Sequence, residues 1–237
     1  MRTSAFRRSM VAGIVFVALF VFGMFFSNDA PSIKSSDSAA VVAQKWVDWL
    51  ATKSHRTEHL IGAYLLILAA IAFVWFCLGI RERLENAGPG EVVIGRFVSL
   101  LSVLGAGAMT AAAMTAAVIP GAVNFGGEKA PTNGDAAHWI MDLTFPFLFV
   151  VFGLVSAALI AAVAIATMRS DAFPRWVAYF GWLAVLGAIA AVIFLPMALP
   201  LLWYLSVAIA GLVRPLPTAD VTASAATAPS ATSRSSA

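Results

Sequence analysis

The sequence predicts an all-α fold: a polytopic helical membrane bundle of six transmembrane helices, both termini in the cytoplasm, with a short amphipathic helix on the outer face. Three observations carry this. Of the 237 residues, 61% are hydrophobic and 11% charged, and the mean hydropathy is +0.89, whereas soluble domains carry about 25% charged residues. The apolar residues fall in long uncharged runs separated by polar breaks. The best defined run, His59–Ile80, reads HLIGAYLLILAAIAFVWFCLGI and has no charge after its first residue. At about 1.5 Å per helical residue it reaches about 33 Å, enough to cross a hydrocarbon core of about 30 Å.

Composition also excludes several classes. The net charge is +3, and the basic residues lie between apolar runs, where they set orientation. No nucleic-acid partner is expected; the expected partners are the lipid bilayer and a second membrane protein. Cys77 is the one cysteine, so no intramolecular disulfide can form. No zinc-ligand spacing, phosphate-binding loop or nucleophile elbow is present, and no cofactor is expected.

Taken in order, residues 1–9 carry three arginines and precede the apolar run Met10–Phe26. A basic start and an apolar middle are the marks of a secretory signal, but no small-x-small site follows near Phe26–Ala30, so the run is read as an uncleaved first span, 10–26. Within the polar stretch 27–58, AAVVAQKWVDWL (Ala39–Leu50) has helical spacing, with Val42, Trp46 and Trp49 on one face. Two readings stand: a helix lying on the membrane surface, or an extension leading into the second span. The second span is 59–80. Gly88-Pro89-Gly90 is a turn. The third span, 92–119, is rich in small residues (Ser102, Gly105, Ala106, Thr110, Ala113), which allow close helix approach in lipid. It is expected in the middle of the bundle, ending at Pro120-Gly121.

Residues 121–136 form a polar loop. The fourth span, 139–168, contains Asp142 and Pro146 in its first third; its opening turns are expected to lie at the interface or to kink at the proline. Trp176–Val213 has 38 residues without a charge, which fits two spans, 176–195 and 199–213, turning at Pro196 and Pro200. Residues 215–237 are Ala, Ser, Thr and Pro with few large apolar groups, expected to be a disordered cytoplasmic tail. With six spans, ten basic residues share the side of the termini and five the other, which puts the termini in the cytoplasm.

Several segments carry a resemblance. They are GAYLLILAAIAFVWFCLGIRERL with its Arg-x-Arg ending, the Gly/Ala/Thr-rich third span, the NFGG…AP loop, and FPRWVAYFGWLAVLGAIAAVIFLPMALPLLW with its Phe-Pro-Arg-Trp start. Over about residues 10–214 the chain resembles a family of six-span integral membrane proteins of unknown function, common in actinobacteria. The resemblance implies a multi-pass protein of the bacterial cytoplasmic membrane. It carries no activity and no catalytic residues.

Chemistry-bearing residues are few. His55 and His59 are four apart, as are His138 and Asp142, so each pair shares a helix face. If the second and fourth spans pack together, His55, His59, His138 and Asp142 would converge on a divalent metal such as zinc; the alternative is polar residues at helix starts, solvated or capping. Asp142 is the one carboxylate within an apolar segment, which makes it a proton- or cation-site candidate. Arg175 and Trp176 anchor the start of the fifth span and are candidates for partner docking. Three function classes follow. The first is a non-enzymatic accessory, scaffolding or sensing component. The second is a small-solute or ion transporter using Asp142 and Ser99, Ser102, Thr110 and Thr115. The third is an outer-face metal- or haem-binding protein using His55, His59 and His138.

Overall fold

The computed structural model describes residues 2–27, 30–193 and 195–214, and among these every regular element is helical. The expected tail, 215–237, lies outside the described residues. The elements are α1 (Arg2–Ser27), α2 (Ala39–Ala51), α3 (Lys53–Ala87), α4 (Val92–Phe125), α5 (Gly134–Asp142), α6 (Phe152–Arg169), α7 (Arg175–Ile189) and α8 (Ala198–Val213), with short 3-10 turns at Pro89–Glu91, Ala190–Ile193 and Leu195–Met197. Four helices are long and apolar enough to cross a membrane: α1, α3, α4, and the continuous helical stretch Gly134–Arg169; α7 and α8 are shorter apolar helices.

Six of these helices close a ring. Each of α1, α3, α4, α6, α7 and α8 packs on the next in that order, and α8 returns to α1. Aromatic side chains fill the centre. Phe16 and Phe20 of α1, Phe73 and Phe76 of α3, Phe152 of α6 and Tyr204 of α8 are all buried. Ring centroids are 4.9 Å apart for Phe16 and Phe73, 5.5 Å for Phe73 and Phe152, and 5.6 Å for Phe16 and Tyr204. Tilted and edge-on contacts of this kind suit the ring quadrupoles, and they leave the midsection packed with side chains.

The third predicted span does not occupy the middle. Gly95, Ser102, Gly105, Ala108, Ala112, Ala113 and Ala116 line one buried stripe, while Ala106 is half-buried and Gly107 and Thr110 are exposed. The opposite stripe, with Val93, Leu100, Val103, Leu104 and Met114, is exposed. Of the apolar window in Gly134–Arg169, 61% is buried, against 33% for the stretch containing α4. Small residues let one face approach α3 closely; they do not surround the helix. Nor does Pro120 end this helix, which runs on to Phe125. Packing carries it through the one backbone hydrogen bond that proline cannot make.

At Pro146 the expected irregularity is a π-helical turn, Pro146–Val151. Proline offers no N–H to the carbonyl of Asp142, and the widened turn absorbs the interruption without breaking the rod. The α2 stretch is not the extension leading into the second span. It is a separate helix, broken from α3 at Thr52, whose backbone is extended. Its face of Trp46, Trp49 and Leu50 packs on Ala137 and Met141 of α5, so the tryptophans are buried in protein. Gly134 makes this possible: a Cβ there would overlap the backbone of Ala43.

Two buried arginines mark the ends of α3. Arg56 donates to Asn124 Oδ1 at 2.8 Å, to the Ala51 carbonyl at 2.7 Å and to the Leu50 carbonyl. Arg83 donates to the carbonyls of Ala172 and Arg214. Its guanidinium lies 5.0 Å from the ring centroid of Phe173 and 5.6 Å from that of Phe6, within cation–π range. The two arginines are about 40 Å apart along the helix at 1.5 Å per residue.

Two predictions follow from this packing. A Cβ at Gly62 would lie 2.7 Å from the Ser27 backbone nitrogen, while one at Gly107 would meet nothing within 4 Å. Gly62→Ala should therefore destabilise the purified protein by about 1–3 kcal/mol, and Gly107→Ala should leave it unchanged or stabilise it by up to about 1 kcal/mol, as read from denaturant unfolding in micelles. Arg83→Met should cost about 2–3 kcal/mol by stranding two carbonyls. Arg83→Lys should recover only part of this, because an ammonium lacks the planar fork.

Candidate functional site

The end of the ring near Arg56 gathers most of the chemistry-bearing residues. The α2–α5 pair sits across it, and the tryptophans of α2 are the hub. Trp46 and Trp49 meet edge to face at 5.7 Å. His138 stacks on Trp46 at 5.7 Å, His55 stacks on Trp49 at 4.7 Å, and His59 meets the Trp49 ring edge-on at 4.8 Å. His138 Nε2 lies 2.8 Å from Asp142 Oδ2, the i,i+4 pair that the spacing implied. The local sequence explains the placement. Asn133 caps α5, its side chain accepting from the Ala136 N–H at 3.1 Å, and this cap sets the phase that turns Ala137 and Met141 inward and leaves His138 against Trp46.

The metal site expected of His55, His59, His138 and Asp142 is not assembled. The indoles stand between the imidazoles, so His55 and His59 gather around Trp49 while His138 is on Trp46. Among the described residues no group of three or more histidine, cysteine or acidic side chains has the geometry to hold a metal ion. A haem or zinc reading needs imidazole nitrogens aimed at one point, and an indole partner turns a ring face to face instead.

Beside this cluster lies a cavity of about 320 Å³. Its walls come from Met24 and Ser27 of α1, Trp46 of α2, His59 of α3, and Asp142, Thr144, Phe145 and Phe149 of the bend before α6. His59 is buried and Asp142 is exposed at the rim. Two lining groups are buried without a hydrogen-bond partner among the described residues: the Trp46 indole N–H and the Ser27 hydroxyl. An unmet buried polar group costs about 1–3 kcal/mol, and native interiors hold few of them. Thr144 is held from behind, its Oγ1 3.0 Å from that of Thr115, which ties the bend to α4.

The remaining predicted residues lie apart. Arg175 and Trp176 are exposed at the start of α7, at the opposite end of the ring, while Phe173 of the same motif is buried beneath Arg83. The hydroxyls offered as a polar face of the third span are mostly spent on their own helix. Ser99, Ser102, Thr110 and Thr115 donate to the carbonyls of Gly95, Ser99, Ala106 and Ala112. Sequence reasoning missed Ser27, Thr144, Phe145 and Phe149 as cavity walls. The one available signal was the clash of Asp142 and Pro146 with an otherwise apolar run.

No family model matches the chain, and neither a curated protein nor a solved structure matches it.

The loop before α2 has a pH-sensitive tie. Asp37 accepts from the Lys34 backbone N–H at 2.8 Å and from Lys45 Nζ at 2.7 Å. These two donors, the backbone N–H first, hold its carboxyl below the ordinary 3.8. A depressed folded-state value means that the tie contributes fully above the unfolded value and is lost as pH falls through the folded one. Protection of the amides at Lys34 and in the first turns of α2, relative to their intrinsic exchange rates at each pH, should therefore fall at acid pH below that range. Asp37→Asn should produce the same loss of protection at neutral pH.

Proposed function

We propose that this chain is a non-enzymatic multi-pass membrane protein of the sensing kind, which binds a small amphipathic solute in the cavity between Trp46, Ser27 and Asp142. The observation that carries the reading is that two residues lining one cavity, Ser27 and Trp46, each hold a buried polar atom with no hydrogen-bond partner among the described residues. Their chemistry describes the ligand. The indole N–H only donates, so it calls for an acceptor; the Asp142 carboxylate calls for a donor or a positive centre; Phe145 and Phe149, stacked at 4.6 Å, call for an apolar body. Since α2 carries Trp46 and is tied to the loop by Lys45 and Asp37, occupancy would bear on the position of α2, which is how a sensing role would be read out.

A carrier using Asp142 draws less support. The ring centre is filled by aromatic side chains, and the third-span hydroxyls bond back to their own helix, so a polar route from the cavity through the bundle has few groups to build it. The accessory or scaffolding variant would use the exposed Arg175 and Trp176 as the docking point for a membrane-protein partner.

Six spans are part of the same proposal. α7 with the turn Ala190–Ile193 and α8 with the turn Leu195–Met197 each reach about 30 Å, at 1.5 Å per α-helical and 2.0 Å per 3-10 residue, which matches a bilayer core. Both termini would be cytoplasmic by the basic-residue bias, and the α2–α5 end would face outward. The proposed location is the bacterial cytoplasmic membrane, and the proposed relatives are the six-span proteins named above.

The test is a tryptophan-fluorescence titration of the purified protein with small aromatic amino alcohols and amides, against hydrocarbons of the same size. The polar series should bind saturably and the hydrocarbons weakly. Trp46→Phe, which keeps a ring but removes the donor, should weaken binding about fivefold to tenfold, as should Asp142→Asn for the amine members. No saturable binding in either series, or affinity untouched by Trp46→Phe, would overturn the reading.

A further inference from the structure

A second concavity lies on the outer surface of the ring, between α1 and α3. It has a volume of about 640 Å³ and runs from Ser4, Arg7 and Arg8 at one end to Leu19 and Leu68 at the other. The two helices are antiparallel here, since Gly79 packs on Ser9 and Met10, Gly13 on Phe76, and Gly62 on Ser27. The floor includes two small, buried residues, Ala12 of α1 and Ala72 of α3. The walls are large and exposed: Val11, Val15, Ile71 and Trp75. Ala12 and Ala72 thus turn what would be a flat apolar face into a channel. Its length, Arg7 to Leu19, is about 18 Å at 1.5 Å per residue, close to the roughly 15 Å depth of one leaflet of a 30 Å core.

The polar groups are all at one end. Arg7 and Arg8 are both exposed, and no carboxylate lines the concavity. Arg8 spends its Nε on the Ser4 carbonyl at 3.3 Å, which holds that side chain along the helix and leaves its two terminal nitrogens to face outward. Trp75 stands about midway along the groove, next to Phe76, which packs on Gly13. One molecule meets both halves of the surface: an apolar chain about one leaflet long, joined to a phosphate that accepts from guanidinium groups.

We infer that the α1–α3 groove is a binding site for one anionic phospholipid, with an acyl chain lying over Ala12 and Ala72 and the headgroup phosphate on Arg7 and Arg8. A zwitterionic lipid offers the same chain and phosphate but brings an ammonium that the two arginines repel. Charge therefore selects the lipid, and groove depth holds its chain. This inference is independent of the solute cavity, which lies at the far end of α3.

Native mass spectrometry of the full chain, released from micelles containing equal phosphatidylglycerol and phosphatidylcholine, tests it. One phosphatidylglycerol should be retained in preference. The Arg7→Gln, Arg8→Gln double variant should lose that preference, by about fivefold per arginine, with thermal unfolding unchanged because both side chains are exposed. Phosphatidylglycerol with brominated chains should quench tryptophan fluorescence, and Trp75→Phe should remove most of the quenching. Glycerol phosphate without chains should not displace the lipid. Equal retention of the two lipids, an unaffected double variant, or quenching insensitive to Trp75→Phe would overturn the site; displacement by glycerol phosphate would reduce it to a surface anion contact and overturn the lipid assignment.

Discussion

The buried guanidinium of Arg83 takes up two carbonyls left over where chain segments end: that of Ala172, in the turn between α6 and α7, and that of Arg214, just past α8. Buried without a partner, such groups cost about 1–3 kcal/mol each. An arginine can answer two at once because its donors sit in a planar fork. The neighbouring rings of Phe6 and Phe173 close the site over it. One residue of α3 thereby fixes the start of α1, the α6–α7 turn and the end of α8 together. Arg56 does the equivalent work at the other end, holding the α2–α3 break and the last turn of α4 through Leu50, Ala51 and Asn124.

With both ends pinned from α3, the interior of the ring is decided by fit. Gly23 and Gly62 let α1 and α3 approach nearly backbone to backbone, and the aromatic groups then interlock from α1, α3, α6 and α8. A packed centre pushes any binding volume to the periphery. The cavity at the tryptophan–histidine cluster and the groove over Ala12 and Ala72 lie at opposite ends of the α1–α3 hairpin for that reason. The first mixes apolar walls with a few polar groups and lies beside the π-helical turn that starts at Pro146; the second is almost wholly apolar and lies on the outer surface of the ring.

Much of the fold was legible in the chain. Uncharged runs located the long helices, the amphipathic spacing of Val42, Trp46 and Trp49 located the buried face of α2, and the i,i+4 spacing put His138 and Asp142 on one helix face, where they lie 2.8 Å apart. The site was less legible. That indoles would separate the imidazoles depends on how α2 folds back over α5, and nothing in the spacing of His55, His59 and His138 encodes it. The same holds for Pro120, whose propensity to stop a helix is local while the packing that overrides it is not.

Hydropathy and the distribution of charge determined by themselves that this is a helical protein with several segments able to cross a membrane, because a bilayer selects for length and apolarity along one helix at a time. Only the tertiary structure decided which faces met: that Arg56 and Arg83 are buried, that α4 turns one stripe outward, that Ser27 and Trp46 line one cavity. Those outcomes turn on contacts between residues distant in sequence, such as Arg83 with Arg214 and Ser27 with Gly62. No local pattern of residue types specifies such contacts, because each is the joint result of packing every helix against its neighbours.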